Sequence, residues 1–378
     1  MKRTLAVALC IIGLSTAACA WPWQGGPGTP LAYVWSDQAG FRYLPALLAG
    51  TGCYARAINA SGQVVGASGH WGYQHAALWN LGGGSTELGT LGGSWSEAVA
   101  INDSGKVVGV SDTGLRDGWG PVSRAFVWTR EGGIVQLDTL GKARSMAIGI
   151  TSDGHVLGCV ADGAIGEKCE GSVVLWDNDG HAVSLGQFND TVLTDINDSL
   201  QISGYRWVNG HYSAIRVGAN GAIIDLGAAL GGDPTYSNSF GRSINSSGQV
   251  AGWAGKLTSD GSPHAVLWAA DGAYTNIAGL LGTCDAGDVT ALNSLGQVIG
   301  YCGHASTPPG PDEQPWLWTS QDGVVALTPA MGVTALRNIA TDINDSGLIC
   351  GWCVVPEPST ILALLSGLGG LALWRGRR

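Results

Sequence analysis

Cys350-Gly351-Trp352-Cys353 has the spacing of a redox dithiol, in which one thiolate attacks a disulfide and the second resolves it. That chemistry needs a helix N-terminus or a nearby cation to lower one thiol's pKa. Here the four residues follow a turn and continue a run of extended-chain types, where residues three apart point to opposite faces of a strand. A structural use is expected instead. Downstream of residue 20 stand Cys53, Cys159, Cys169, Cys284, Cys302, Cys350 and Cys353. In a chain bearing the export signal described below, these are expected to pair. Cys284 and Cys302 bracket one hairpin about Asn293, Cys159 and Cys169 bracket a strand-to-strand loop, and Cys53 with Cys353 is the expected closing staple. An odd total leaves at least one thiol free unless chains cross-link.

The other chemistry-bearing groups give less. Asp342-Ile343-Asn344-Asp345-Ser346-Gly347 and Asp195-Ile196-Asn197-Asp198-Ser199 imitate the start of a calcium loop, but Cys353 and Arg206 stand where the twelfth-position Glu is needed. Turn chemistry explains these residues better. The seven histidines have no metal-ligand spacing, and His75 and His264 occupy equivalent places in two copies of a repeat. No nucleophile elbow, phosphate loop or dinucleotide fingerprint is present. Neither a cofactor, a metal nor a catalytic residue is expected from the sequence.

The elements that would position any site are written in a repeat. Residues 98–110, AVAINDSGKVVGV, place a turn of Asn, Asp, Ser and Gly between two apolar runs: a β-hairpin. The phrase recurs at Ile58-Asn59, Ile101-Asn102, Ile150-Thr151, Ile196-Asn197, Ile244-Asn245, Leu292-Asn293 and Ile343-Asn344, in steps of 43 to 51 residues. Each copy carries a trailing glycine: Gly66, Gly109, Gly158, Gly204, Gly252, Gly300 and Gly351. A second signature ends a short strand in Trp, at Trp35, Trp79, Trp128, Trp176, Trp268 and Trp318, with Arg216 in the remaining copy. A third ends a strand in Leu-Gly, as in Glu87 to Gly92, Leu137 to Gly141 and Leu226 to Gly232. One period therefore holds four strands, the size of a propeller blade.

The order of the parts at the two ends selects a closed ring. The first copy supplies only a Trp strand (32–35) and a Leu strand (41–44), and the last supplies only a hairpin (340–343 and 348–352). An open array would leave both halves with bare edges. Joined, they make a seventh blade, so the expected fold is an all-β, seven-bladed propeller with strands from both termini in one sheet. The recurrent Trp is expected to fill the gaps between blades. Gly at 61 residues, Trp at 16 and only 13% charged residues agree with many short strands and tight turns.

The phrase Ala-x-x-Ile-Asn-x-Ser-Gly-x-Val-x-Gly, with His75-Ala76-Ala77, Arg124-Ala125-Phe126 and His264-Ala265-Val266, resembles the extracellular HAF repeat family from residue 32 to about 352. That resemblance implies a secreted or surface location and no particular activity. The first twenty residues, with Lys2, Arg3, an apolar run and Ala18-Cys19-Ala20, read as a secretory signal peptide. Cys19 raises a lipoprotein alternative, against which Thr16 stands where Leu is preferred. The last residues, 355–378, resemble a PEP-CTERM sorting signal: Pro356-Glu357-Pro358-Ser359-Thr360, an apolar run over 361–374, then Arg375, Arg377 and Arg378. The alternative is a plain C-terminal anchor, for which 14 apolar residues are short. The sorting resemblance implies processing by an exosortase-type machinery in a Gram-negative bacterium that exports polysaccharide, with transient inner-membrane anchoring through 361–374.

The resulting organisation is a signal peptide (1–20), a Pro/Gly-rich linker (21–30), a propeller (31–354) and a sorting segment (355–378). A net charge of −10 disfavours nucleic acid and anionic membranes as partners. Aromatic residues in the less repetitive loops, namely Trp71, Tyr73, Trp119 and Trp316, are the candidate ligand-binding positions, since loops on a rigid scaffold carry binding. The favoured reading is a non-catalytic surface or matrix protein that binds exopolysaccharide or a protein partner there. A secreted carbohydrate-active lyase or hydrolase on the same scaffold, and a purely structural envelope protein, are the competing readings.

Overall fold

The computed structural model describes residues 28–355 except 49–50, 71, 166–170, 187, 189, 231–237, 256–263, 278–285, 304–313 and 328–336. Apart from one 3-10 turn, Gly227–Leu230, its regular elements are strands. The chain begins with β1 (Thr29–Ser36) and β2 (Gly40–Tyr43). Complete blades follow as β3 (Gly52–Ile58), β4 (Gln63–His70), β5 (Tyr73–Asn80), β6 (Ser85–Gly89); β7 (Ser96–Ile101), β8 (Val107–Asp117), β9 (Gly120–Thr129), β10 (Gly133–Gln136); and β11 (Arg144–Ile150), β12 (Val156–Ala161), β13 (Ser172–Trp176), β14 (Ala182–Gly186). Three more are β15 (Thr191–Ile196), β16 (Ile202–Val208), β17 (His211–Val217), β18 (Ile223–Asp225); β19 (Asn238–Ile244), β20 (Val250–Gly255), β21 (His264–Trp268), β22 (Tyr274–Asn276); and β23 (Ala286–Leu292), β24 (Val298–Gly303), β25 (Gln314–Thr319), β26 (Gly323–Ala326). The chain closes with β27 (Arg337–Ile343) and β28 (Ile349–Val355).

These strands form seven four-stranded antiparallel sheets, one of them ordered β2-β1-β28-β27. The protein is a seven-bladed propeller whose last blade is shared by both ends of the chain. Pairing of β1 with β28 runs from Thr29 opposite Val355 to Trp35 opposite Ile349, slightly beyond the 31–354 expected from the sequence. The first strand of each blade lies innermost, and each contacts the innermost strand of the next, with β27 meeting β3 to complete the circle.

The repeated phrase makes this geometry twice over. In every blade the innermost strand carries a bulge, at Arg56, Val99, Ile148, Thr194, Arg242, Thr290 and Thr341 in turn. The bulge bends the strand over its partner, so a Cβ at any of the seven trailing glycines would collide with a carbonyl oxygen of the inner strand, Glu97 O for Gly109 and Asp288 O for Gly300. Only glycine fits there. The turn asparagine works in two directions. Asn102 Oδ1 accepts the Lys106 N–H (3.0 Å), closing its own hairpin, while its Nδ2 donates to the Thr151 carbonyl of the next blade (3.2 Å).

The same side-chain link joins Asn59 to Asn102, Asn197 to Asn245, Asn245 to Asn293 and Asn293 to Asn344, at 2.9–3.1 Å. Asn344 then donates to the Asn59 carbonyl at 2.9 Å, across the junction of the two chain ends. All six asparagines are buried, so each of these bonds satisfies groups that water does not reach. Thr151 interrupts the belt. Its hydroxyl closes its own turn through His155 N, and in the belt that interface keeps only the contact of the Asp198 carboxylate with Ser152 N (2.7 Å), which Asp103 and Asp345 make to Ala60 N and Ser294 N beside intact asparagine links.

Between blades the recurrent tryptophans pack as expected. Trp79 sits with Ala32 and Val34 of the neighbouring blade, and its indole N–H donates to the Pro45 carbonyl at 2.7 Å. Arg216, in the Trp position, instead donates to the Gly248 and Ala270 carbonyls in two turns of the following blade (2.6 and 2.8 Å). Two ion pairs also link neighbours from equivalent positions: Arg56 to Glu97, and Arg242 to Asp288 at 3.5 Å.

The structure corrects the expected staple between Cys53 and Cys353, because both thiols are free, as is that of Cys350. Cys53 Sγ accepts from Ala32 N (3.2 Å) and donates to the Leu44 carbonyl (3.6 Å), so the closing seam is held by hydrogen bonds and packing. Cys159 and Cys302 each take part in a disulfide. Cys169 and Cys284, their expected partners, lie outside the described residues, as do the signal peptide and the sorting residues from Pro356 to Arg378.

Asn344→Ala removes both the turn cap and the bridge to Asn59, and is expected to cost about 1–3 kcal/mol because a buried carbonyl loses its donor. Thr151→Asn supplies the missing link and is expected to raise stability by about 0.5–1.5 kcal/mol. Urea unfolding midpoints of the two variants, moving in opposite directions, are the measurement; equal or like-signed shifts contradict a continuous belt.

Candidate functional site

Because successive strands are antiparallel, the asparagine turns and the third-to-fourth strand turns of every blade emerge on one face. The second-to-third hairpins and the blade-to-blade connections emerge on the other. Tyr73 begins β5 beside the β4–β5 hairpin tip and is 72% exposed; Trp119 crowns the β8–β9 hairpin and is 71% exposed. Both belong to the face opposite the belt. Trp71, at the same hairpin as Tyr73, lies outside the described residues.

The Trp119 hairpin is held from the next blade. Arg144, buried at the start of β11, donates to both carboxylate oxygens of Asp117 (2.8 and 2.6 Å) and to the carbonyls of Gly120 and Pro121. Asp117 Oδ1 in turn accepts the Trp119 N–H at 2.8 Å. The Arg144 hydrogen bonds hold the Asp117 carboxyl below its usual range. An exposed indole on a fixed backbone is a binding feature with little entropy left to lose.

Trp316 is corrected. It lies on β25, 1% exposed, with its ring against the backbone of Gly300, and it belongs to the core. Sequence spacing placed it beside a variable loop, whereas strand alternation turns it inward two residues before Trp318.

A cavity of about 260 Å³ on the hairpin face was not foreseen. It is lined by Asp190, Val192, Trp207 and Tyr212, from the connection into β15 and from the β16–β17 hairpin. Trp207 falls outside all three repeat signatures; its only sequence signal is an aromatic near a hairpin tip, two residues before Asn209-Gly210.

Near the axis, the residue after each bulge is Ala57, Ala100, Gly149, Asp195, Ser243, Ala291 or Asp342. Five of these seven ring positions carry no more than a methyl or hydroxymethyl group, and the other two are the aspartates. Asp195 accepts from Ser243 Oγ and from Ile244 N of the next blade (2.9 and 3.1 Å), and Asp342 accepts from Ile58 N (2.9 Å). Burial pushes Asp195 up to about 6 and Asp342 up to about 7, Asp342 with a further contribution from the charge of Asp195. Both carboxylates act as blade-to-blade hydrogen-bond acceptors.

The two thiols of the Cys350–Cys353 pair are buried as well. Burial pushes the Cys353 thiol up to about 11 and the Cys350 thiol still higher, opposite to the depressed pKa of a nucleophilic cysteine. Ligand atoms of Asp177, Asp179 and His181 lie within 4.8 Å of one another, a grouping that histidine spacing alone does not suggest. Asp177 Oδ1 already accepts from the backbone of Asp179 and His181 (3.0 and 2.9 Å), a turn that explains the cluster.

No family model matches the chain, and no curated protein does. Among solved structures it is similar to the β-propeller domain of the Trilobed protease from Pyrococcus furiosus, at 13% identity over 81% of this chain and 96% of that one, with a TM-score of 0.51. Puromycin hydrolase is matched at 13% identity over 83% of this chain, with a TM-score of 0.51, and this chain spans 56% of it. A protein described as TolB from Agrobacterium tumefaciens is matched at 11% identity over 88% of this chain and all of that one, with a TM-score of 0.48. At such identities the likeness is one of fold: a β-propeller.

The two axial aspartates set a pH dependence. With folded values near 6 and 7 and unfolded values near 3.9, the folded state holds protons that the unfolded state has released. Their contribution to stability is full below about pH 4 and declines as pH rises to about 7. The melting temperature of the wild type is expected to fall from pH 5 to pH 8 relative to the Asp195→Asn/Asp342→Asn variant. Parallel curves for the two proteins contradict the assignment.

Proposed function

We propose that this chain is an exported, non-catalytic surface or matrix propeller that binds exopolysaccharide through the aromatic residues of its hairpin face. The observation that carries the reading is Trp119, 71% exposed on a hairpin whose backbone Arg144 fixes from the neighbouring blade. A single exposed aromatic is ordinary; what supports the reading is that this one is already fixed in place, so a ligand docking on it orders little that was free. Trp and Tyr suit sugar rings, offering flat apolar surface with a polar edge.

The HAF and PEP-CTERM resemblances support an address to match. On this reading the signal at 1–20 exports the chain, residues 361–374 hold it transiently at the inner membrane, and an exosortase-type enzyme processes the Pro356-Glu357-Pro358-Ser359-Thr360 segment with its Arg375, Arg377 and Arg378 tail. The mature propeller then meets secreted polysaccharide at the cell surface. Against an enzymatic use, the axial ring is mostly alanine, glycine and serine, and its two carboxylates are engaged in holding blades together.

Trp119→Ala is expected to weaken retention on polysaccharide purified from the producing bacterium by at least tenfold, about 1.4 kcal/mol. Arg144→Ala, which frees the hairpin without removing the indole, is expected to give a smaller loss. Affinity electrophoresis measures both; undiminished retention of Trp119→Ala removes the basis for the proposal.

A further inference from the structure

The cavity at Trp207 has a shape and a chemistry of its own. Trp207 is 46% exposed and packs edge-on against Tyr212, with ring centroids 4.7 Å apart at 71°. Tyr212 rests on Phe240 (5.2 Å), and Phe240 stacks on Trp253 in the following blade (4.1 Å, 21°). The outer indole is thus the end of a row of rings that runs into the core and cannot readily turn away. The backbone N–H of Trp207 donates to the Asp190 carbonyl at 2.7 Å, and Asp190 takes a positive φ of 58°, a conformation that costs a non-glycine residue energy. That strained backbone sets Asp190 at the rim, exposed and part of the lining.

The volume of about 260 Å³ falls just below the range of sites for drug-sized ligands, which fits one sugar ring rather than a longer segment. The aromatic wall offers a face for the apolar side of a pyranose and for a cation. The carboxylate offers an acceptor for an ammonium or a hydroxyl, and repels another carboxylate. A net charge of −10 over the whole chain acts in the same sense at longer range.

We infer that this cleft binds an aminodeoxy-hexose unit of a polysaccharide, its ring against Trp207 and Tyr212 and its ammonium against Asp190. This deepens the polysaccharide reading and rests on it. It also separates the ligands that the hairpin face takes: positively charged or amine-bearing glycans are selected, and uronic acid polymers are rejected.

The test is titration calorimetry of the intact protein with four defined hexamers: β-linked 2-amino-2-deoxyglucose, its N-acetylated form, a neutral β-glucan and a polyuronate. Wild type is expected to bind the free-amine hexamer at least tenfold more tightly than the acetylated one and to bind the polyuronate least. Trp207→Ala is expected to weaken free-amine binding at least tenfold. Asp190→Asn, which keeps the shape and suits the positive φ, is expected to equalise the free-amine and acetylated hexamers. Thermal melts that match wild type show that both variants are folded. Preference for the polyuronate, or Trp207→Ala binding as wild type does, overturns the assignment. If Trp119→Ala loses the native polymer while Trp207→Ala keeps it and binds the free-amine hexamer unchanged, the hairpin face stands and this cleft falls. If wild type binds neither the hexamers nor the native polymer, both fall.

Discussion

A buried side-chain amide that bonds in two directions is the constraint on which this structure turns. Each turn asparagine accepts a hydrogen bond from its own hairpin and donates one to the main chain of the next blade: Asn245 accepts from Gln249 N and donates to the Asn293 carbonyl. Local turn and global ring are therefore specified by one residue. A hairpin that forms badly cannot present the amide, and a neighbour out of place leaves a donor buried without a partner. The bond from Asn344 to Asn59 joins positions 285 apart, so the ring closes through the same contact that joins sequential blades.

Rigidity at the belt face allows adventurous side chains at the other. The bulge and trailing glycine bring the two inner strands of a blade close, tryptophans or Arg216 fill the space between blades, and Arg56–Glu97 and Arg242–Asp288 add charge pairing at two of the interfaces. Opposite the belt, hairpins differ in length and content. One carries Trp119, tied down by Arg144; another carries Trp207, backed by aromatic rings in two blades. These side chains contribute nothing evident to closure, and both are placed with backbone bonds that fix their orientation.

Much of this was legible in the sequence because the repeat states it seven times. Ile-Asn with its trailing glycine marked the inner hairpins, the Trp and Leu-Gly signatures marked the outer strands, and half-blades at 32–44 and 340–352 implied the shared sheet. Two departures from the repeat gained their meaning only from the structure: Thr151 breaks the belt, and Leu200, in place of the turn glycine, keeps the positive φ at 55°. What failed was finer than a strand. Trp316 and Trp318 are both inward-facing on one strand, which spacing from a loop does not reveal. Cys53 and Cys353 lie near one seam, but thiol reach depends on side-chain direction rather than on blade order. Trp207 carried no repeat signal: Tyr212 faces it across its own hairpin, but Asp190 joins them only through the backbone bond from Trp207 N to its carbonyl.

Closure of the ring through β1 and β28 is the central claim, and hydrogen exchange read residue by residue tests it most directly. If the two ends share a sheet, the amides of residues 32–35 and 349–352 exchange as slowly as those of the central pair β4 and β5, and they do so through global unfolding. Exchange of residues 32–35 at the rate of an unprotected chain, with the other blades still protected, would show an open ring and contradict the account.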